Sequence, residues 1–67
     1  NEQAMVEVAW SSLSGPHREV LTMDALGYDG PAIANALGIS PLATRSRLLR
    51  ARRAFVRACQ QPEASLR

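Results

Sequence analysis

The sequence predicts an all-α fold, a small four-helix domain that contains a helix-turn-helix. The chain is rich in alanine and poor in β-branched residues, and this composition favours helix over strand. Hydrophobic residues make up 46% of its 67 residues, which is enough for one small core and a single domain. A proline also follows closely after Ser14, Asp29 and Ser40, and a capping residue with a nearby proline is a typical start of a helix.

The first helix is predicted over residues 2–12. Apolar side chains recur there at roughly helical spacing, namely Ala4, Met5, Val8 and Leu13, and Trp10 adds a large apolar anchor. The serines and the glycine that follow end this helix.

Two further helices are predicted before residue 40. The second runs from Ser14, which can cap it, to Gly27, which can stop it. The third is short and runs from its cap Asp29 to Gly38. The spacing of apolar residues in the second helix includes Val20, Leu21, Met23 or Asp24, and Leu26, and the third helix is expected to have an inner stripe of Ile33, Ala34 and Leu37.

A three-residue turn, 38–40, connects the third helix to a fourth. Helix, tight glycine-containing turn and helix together are the layout of a helix-turn-helix. We expect Gly38 to take a left-handed backbone angle, Ile39 to fill the core and Ser40 to cap a helix whose first residue is Pro41. Ala34 is small where the two helices come closest.

The fourth helix is predicted over residues 41–57 and is the longest. At about 100° per residue, Thr44, Leu48, Ala51 and Phe55 form an inner stripe. The opposite face contains Leu42, Ser46, Leu49, Arg50, Arg53 and Arg57, with Arg45, Arg47 and Arg52 on the flanks. The residues expected to be largely buried are Leu37, Ile39, Leu48 and Phe55.

Charge is divided unevenly along the chain. Residues 1–44 contain five acidic residues and one arginine, a balance of −4, whereas residues 45–57 contain six arginines and no acid. Such asymmetry indicates a polyanionic partner, and guanidinium groups suit phosphates and guanine edges. A buried stripe backed by a basic outer face is what a recognition helix in the major groove requires.

Other functional classes lack the residues that they need. Cys59 has no second cysteine for a disulfide or a metal-ligand pair, and Ser46 has no nearby histidine and acid to activate it. We therefore expect no enzymatic activity, no cofactor and no metal.

No apolar run approaches the roughly 20 residues of a membrane span, and no secretion signal opens the chain, so the expected location is the cytoplasm, without a membrane partner.

Two segments carry a family resemblance. IANALGIS (residues 33–40) and RSRLLRAR (residues 45–52) together resemble region 4 of bacterial sigma factors of the extracytoplasmic-function group, in the sigma-70 family. LSGPHREVL (residues 13–21) resembles the segment that opens the preceding helix in that family. The resemblance covers residues 10–55, and we expect a region 4-like domain over residues 1–59 and a flexible tail over residues 60–67.

The resemblance implies a function. Region 4 binds the promoter −35 element in the major groove of double-stranded DNA and docks on the β flap of the RNA polymerase core, so that transcription starts at the promoter. An anti-sigma factor is a further implied partner. The matching DNA-facing positions are Arg45, Ser46, Leu49 and Arg50, and the positions that match contacts to the DNA backbone are Arg47 and Arg53.

The chain departs from the family at three places. One is the loop 28–31 (YDGP), where the family tends to have Leu-Ser-Tyr and an acid. The chain also has Leu42, Ala43 and Thr44 where the family usually has Gly-Thr-Val, which puts a polar Thr44 in the inner stripe. Asp24 stands near the place where the family often has an arginine that meets a phosphate, and an acid there repels DNA.

Two alternative functions remain open from the sequence. One is a LuxR-type or other helix-turn-helix regulator, because residues 18–21 (REVL) are shared with that type. The recognition helix argues against it, since the RSRL segment differs from the Thr-Val-Lys-x-His string typical of LuxR-type domains. The other is a mainly protein-binding module, in which the acidic and apolar front half binds the polymerase flap or an anti-sigma factor.

Overall fold

The computed structural model describes residues 2–60, and this part of the chain forms four α-helices without a strand. They are α1 (Glu2–Ser12), α2 (Gly15–Ala25), α3 (Gly30–Leu37) and α4 (Pro41–Gln60). The predicted all-α fold with four helices is confirmed, and α4 is the longest, with 20 residues. It ends at Gln60, one residue inside the segment expected to be a tail; residues 61–67 lie outside the described part.

Three helices begin at the capping residues that the sequence predicts. In each, a side-chain oxygen accepts a hydrogen bond from the backbone N–H three residues later, which satisfies a donor that has no partner within the helix. The pairs are Ser14 with His17 at 3.4 Å, Asp29 with Ala32 at 2.9 Å, and Ser40 with Ala43 at 3.0 Å. Local hydrogen bonding therefore fixes where α2, α3 and α4 start.

The end of α3 is a glycine-dependent reversal. Gly38 has φ +68°, a left-handed conformation that a residue without Cβ adopts easily. The N–H of Ile39 donates to the carbonyl of Ala34 at 3.0 Å, and the N–H of Gly38 donates to that of Asn35 at 3.3 Å. This pair of bonds is a Schellman motif. Helix α2 ends in the same way at Gly27, which has φ +93°.

Helix α4 is the central element of the fold, because it packs against each of the other three helices and most extensively against α2. Val20 from α2, Ile33 from α3 and Ala51 from α4 form a fully buried cluster. The partly buried side chains that pack against this cluster are Leu21, Met23, Leu37 and Leu48. The core thus holds the helix-turn-helix and α2 together around the middle of α4.

Helix α1 packs on the distal part of α4 through an aromatic pair. The rings of Trp10 and Phe55 meet edge to face, with centroids 6.2 Å apart and planes at 81°, an arrangement worth about 0.5–1.5 kcal/mol beyond the area buried. Ala9 and Leu13 are buried nearby in sequence, whereas Met5 is exposed. The buried face of α1 is therefore centred on Ala9 rather than on Met5.

The burial expected at four positions was too high. Leu37, Ile39, Leu48 and Phe55 are partly buried, not largely buried. In a domain this small, much of the surface stays exposed to solvent, so long side chains at the edge of the core stay partly accessible. The residues that are enclosed are Ala9, Leu13, Val20, Ile33, Ala34, Thr44 and Ala51.

Candidate nucleic-acid interface

The candidate interface is built on α3, the turn 38–40 and the start of α4. The gap between Leu37 and Pro41 is three residues long, as the sequence predicts for a helix-turn-helix. Ile39 is partly buried in this turn. The Schellman motif before the turn and the Ser40 side-chain cap after it fix both ends of the connection, so the direction in which α4 leaves the turn is determined by local hydrogen bonds.

Thr44 is the polar residue of the inner stripe, and it is only 1% exposed. Its Oγ1 donates to the carbonyl of Ser40 at 3.1 Å. Among the described residues, no buried side-chain oxygen or nitrogen lacks a hydrogen-bond partner. The hydroxyl is therefore satisfied within the first turn of α4, and this departure from the sigma pattern is compatible with a packed inner face.

The inner stripe orients the opposite face of α4 towards solvent. Thr44 and Ala51 are fully buried, and Leu48 and Phe55 between and beyond them are partly buried, as the predicted periodicity requires. Of the candidate site residues, Arg45, Leu49, Arg50 and Arg53 are exposed, whereas Ser46 and Arg47 are partly buried. The structure thus places all six on the same long helix, with Arg47 on its flank.

Arg50 is positioned by its own helix. Its Nε donates to the backbone carbonyl of Ser46 at 3.4 Å, a long hydrogen bond that directs the side chain back towards the start of α4. Arg45, the residue directly before Ser46, is exposed. Two guanidinium groups are therefore available near the N-terminal half of α4, the part of a recognition helix that reaches base edges.

One arginine of α4 has a carboxylate partner. The Nη2 of Arg52 lies 3.0 Å from the Oδ2 of Asp24 on α2, and this is the only ion pair within residues 2–60. Both side chains are partly exposed, so the pair contributes at most about 1 kcal/mol to stability. The negative charge of Asp24, expected from the sequence to repel DNA, is held against Arg52. The sequence gives no signal for this contact because 28 residues separate the two.

The outer face of α4 is apolar as well as basic. Leu42, Leu49 and Val56 are 71%, 47% and 52% exposed. They are spaced seven residues apart, close to two helical turns, so they form one stripe along the helix. The sequence prediction placed Leu42 and Leu49 on this face but did not include Val56, which the seven-residue spacing could have identified.

Metal-binding clusters and membrane-spanning helices were the two other features of interest in the described part of the chain. Residues 2–60 contain no group of three or more histidine, cysteine, aspartate or glutamate side chains that could hold a metal ion. None of the four helices combines the length and the apolar character needed to cross a bilayer.

Comparison of this chain with protein-family models, with curated proteins and with solved structures gave no match. The resemblance to sigma region 4 therefore stays a prediction made from short segments of the sequence.

Proposed function

We propose that this chain is a double-stranded DNA-binding domain that inserts the N-terminal half of α4 into the major groove. We further propose that it serves as region 4 of an extracytoplasmic-function sigma factor in the cytoplasm, where it recognises a −35 element, docks on the polymerase core and directs transcription initiation. One observation carries the first proposal. Five arginines of α4 have no carboxylate within ion-pair distance among residues 2–60, and this helix follows a helix-turn-helix turn.

Unpaired arginines on one helix favour phosphate as the partner. Charges that lie on a solvated surface are usually interleaved with opposite charges, but α4 contains no acid at all. DNA binding through these groups releases condensed counterions, and the logarithm of the binding constant falls by about 0.9 per phosphate contact for each tenfold rise in salt. If Arg47, Arg53 and Arg57 make such contacts, the expected slope is roughly −3.

The position of each arginine along α4 determines whether it can reach base edges or phosphates. Arg45 and Arg50 lie in the first three turns, where a bidentate contact with guanine O6 and N7 contributes about 1–3 kcal/mol of discrimination. Arg53 and Arg57 lie further along, where a recognition helix leaves the groove and meets phosphates. Arg47, on the flank and partly buried, suits a contact to the DNA backbone on one side.

A mainly protein-binding function is the second candidate. It is favoured by apolar side chains exposed outside α4, namely Met5 and Val6 on α1 and Leu26 and Tyr28 between α2 and α3. The front half that contains them has a net charge of −4, opposite in sign to α4. In the sigma-factor proposal this surface docks on the β flap of polymerase or on an anti-sigma factor, in addition to DNA binding.

A binding experiment separates the two candidates. The chain is incubated with a random duplex library, bound sequences are selected and amplified, and the affinity for the selected and a scrambled duplex is measured by fluorescence anisotropy at several salt concentrations. The DNA-binding proposal predicts an enriched sequence, preferential binding to it and a steep salt slope. Absence of measurable duplex binding at low salt, together with capture of a β-flap fragment that Leu26→Ala with Tyr28→Ala abolishes, would favour the protein-binding module.

A further inference from the structure

The side chains of the stripe of Leu42, Leu49 and Val56 are about half exposed or more within the described residues 2–60. Single exposed leucines are ordinary on a protein surface. Here three aliphatic side chains follow each other at seven-residue intervals on the face opposite to the buried Thr44 and Ala51. A partner that covers this stripe must offer apolar groups at points that match it.

The charge around the stripe restricts what that partner can be. Exposed arginines stand beside it, with Arg45 and Arg53 close in angle to the leucines, and no acid occurs in α4. A second copy of the same helix would bring like charges together, which is unfavourable. The partner is therefore rich in negative charge at the edges and has isolated apolar groups between them.

The major groove of DNA has this composition. Phosphates line its walls, and the 5-methyl group of thymine is the apolar group presented on its floor, where alanine, threonine methyl and phenylalanine side chains are known to contact it. The distance along α4 from Leu42 to Leu49 is about 10.5 Å at 1.5 Å per residue. This length corresponds to about three base pairs at 3.4 Å per step. Val56 lies a further two turns on, beyond the part of a recognition helix that reaches bases.

We infer that Leu42 and Leu49 are specificity-determining residues that contact thymine 5-methyl groups about three base pairs apart, next to the bases read by Arg45 and Arg50. The inference rests on the proposed DNA-binding function and adds to it the apolar part of base recognition. Val56, with an equally exposed aliphatic side chain on the same stripe, takes no part in this contact.

Removing single methyl groups from the DNA tests whether the two leucines contact thymine. In the duplex obtained by selection, each thymine is replaced in turn by deoxyuridine, which removes the methyl group and keeps every hydrogen-bonding group. Burial of one methyl group corresponds to about fourfold in affinity. We expect about this loss at two positions roughly three base pairs apart, and no change at the other thymines.

The protein variants connect each methyl group to one side chain. Leu42→Ala should abolish the effect of deoxyuridine at one of the two positions, and Leu49→Ala should abolish it at the other. Val56→Ala is the matched control and should leave both effects unchanged. Because all three side chains are exposed, thermal melting of the variants should match that of the unchanged protein, and this excludes misfolding as a cause.

Two results would overturn the inference while leaving the proposed function in place. One is a selected duplex whose affinity does not depend on any thymine methyl group although Arg50→Ala still reduces the sequence preference. The other is a methyl effect that survives in both leucine variants. Failure to select any duplex, or equal affinity for selected and scrambled DNA, would instead contradict the proposed function itself.

Discussion

Leu48 and Leu49 are adjacent in sequence but lie on different faces of α4. Leu48 packs against the cluster formed by Val20, Ile33 and Ala51, whereas Leu49 is 47% exposed on the side with the unpaired arginines. A rotation of about 100° around the helix axis separates the two environments. One face of this helix packs in the core, and the other is the face that we propose to bind DNA, so substitutions on the two faces should affect different measurements.

The largest effect should follow from Leu48→Ala. Removal of a core leucine costs about 2–5 kcal/mol, and the lower end applies because Leu48 is only partly buried. In a domain of this size such a loss lowers the melting temperature by roughly 10 °C. Leu49→Ala, the matched control, should change the free energy of unfolding by less than about 0.5 kcal/mol. Circular dichroism melting curves measure both, and equal losses in the two variants would refute the distinction between the faces.

The arginines of the outer face should differ among themselves. Arg50→Ala should weaken binding to the selected duplex by about 1–3 kcal/mol and reduce the preference over scrambled DNA. Arg57→Ala should weaken binding to all sequences about equally and reduce the salt slope by about one unit. Anisotropy titrations at several salt concentrations measure both quantities. The same uniform loss in both variants would mean that α4 binds polyanions without reading sequence.

The turn that positions α4 should be sensitive to its glycine. Gly38→Ala should lower the free energy of unfolding by about 1–2 kcal/mol, because a residue with Cβ is disfavoured at φ +68°. Apart from its own chain neighbours, no residue has an atom within 4 Å of the added Cβ, so the cost is confined to the backbone. Gly15→Ala is the control: its surroundings are equally open and its φ is not left-handed, so stability should stay equal or rise. Urea denaturation compares them, and a loss of the same size in both would contradict the assignment of strain to Gly38.

The smallest effect is expected from removing the ion pair between Asp24 on α2 and Arg52 on α4. Asp24→Asn releases Arg52 for a phosphate contact, so DNA affinity should increase and the salt slope should steepen by up to about one unit. The cost in folding stability should stay below about 1 kcal/mol, because the pair is exposed. Glu19→Gln removes an exposed acid of the same helix that has no ion pair in residues 2–60. An equal rise in affinity in this control would show that net charge, not Arg52, is responsible.

The local features of this fold were predictable from the sequence, and the pairings between helices were not. Ser40 as a cap and Gly38 as a left-handed stop depend on neighbouring residues only, so residue type and spacing were sufficient. The edge-to-face contact of Trp10 with Phe55 joins residues 45 positions apart and depends on how α1 packs on α4. For the same reason the apolar spacing of α1, which includes Met5, did not indicate that tertiary packing buries Ala9 and leaves Met5 exposed.

In the candidate site, too, local features were predictable from the sequence and a contact between helices was not. The basic outer face of α4 follows from helical periodicity, and the exposure of Arg45, Arg50 and Arg53 agrees with it. The neutralisation of Arg52 by Asp24 depends on the approach of α2 to α4, which a single sequence does not specify. Charge counting along the chain therefore overestimated the number of unpaired arginines by one.

The most direct test of the account is a map of the residues that contact DNA. In a nuclear magnetic resonance titration of the 15N-labelled chain with the selected duplex, chemical shift changes of backbone amides report which helix meets the DNA. We predict the largest changes in residues 42–53 of α4 and in the turn 38–40, and small changes in α1. The largest changes in α1, or in the loop between α2 and α3, with α4 unaffected, would contradict the claim that the outer face of α4 is the DNA-reading surface.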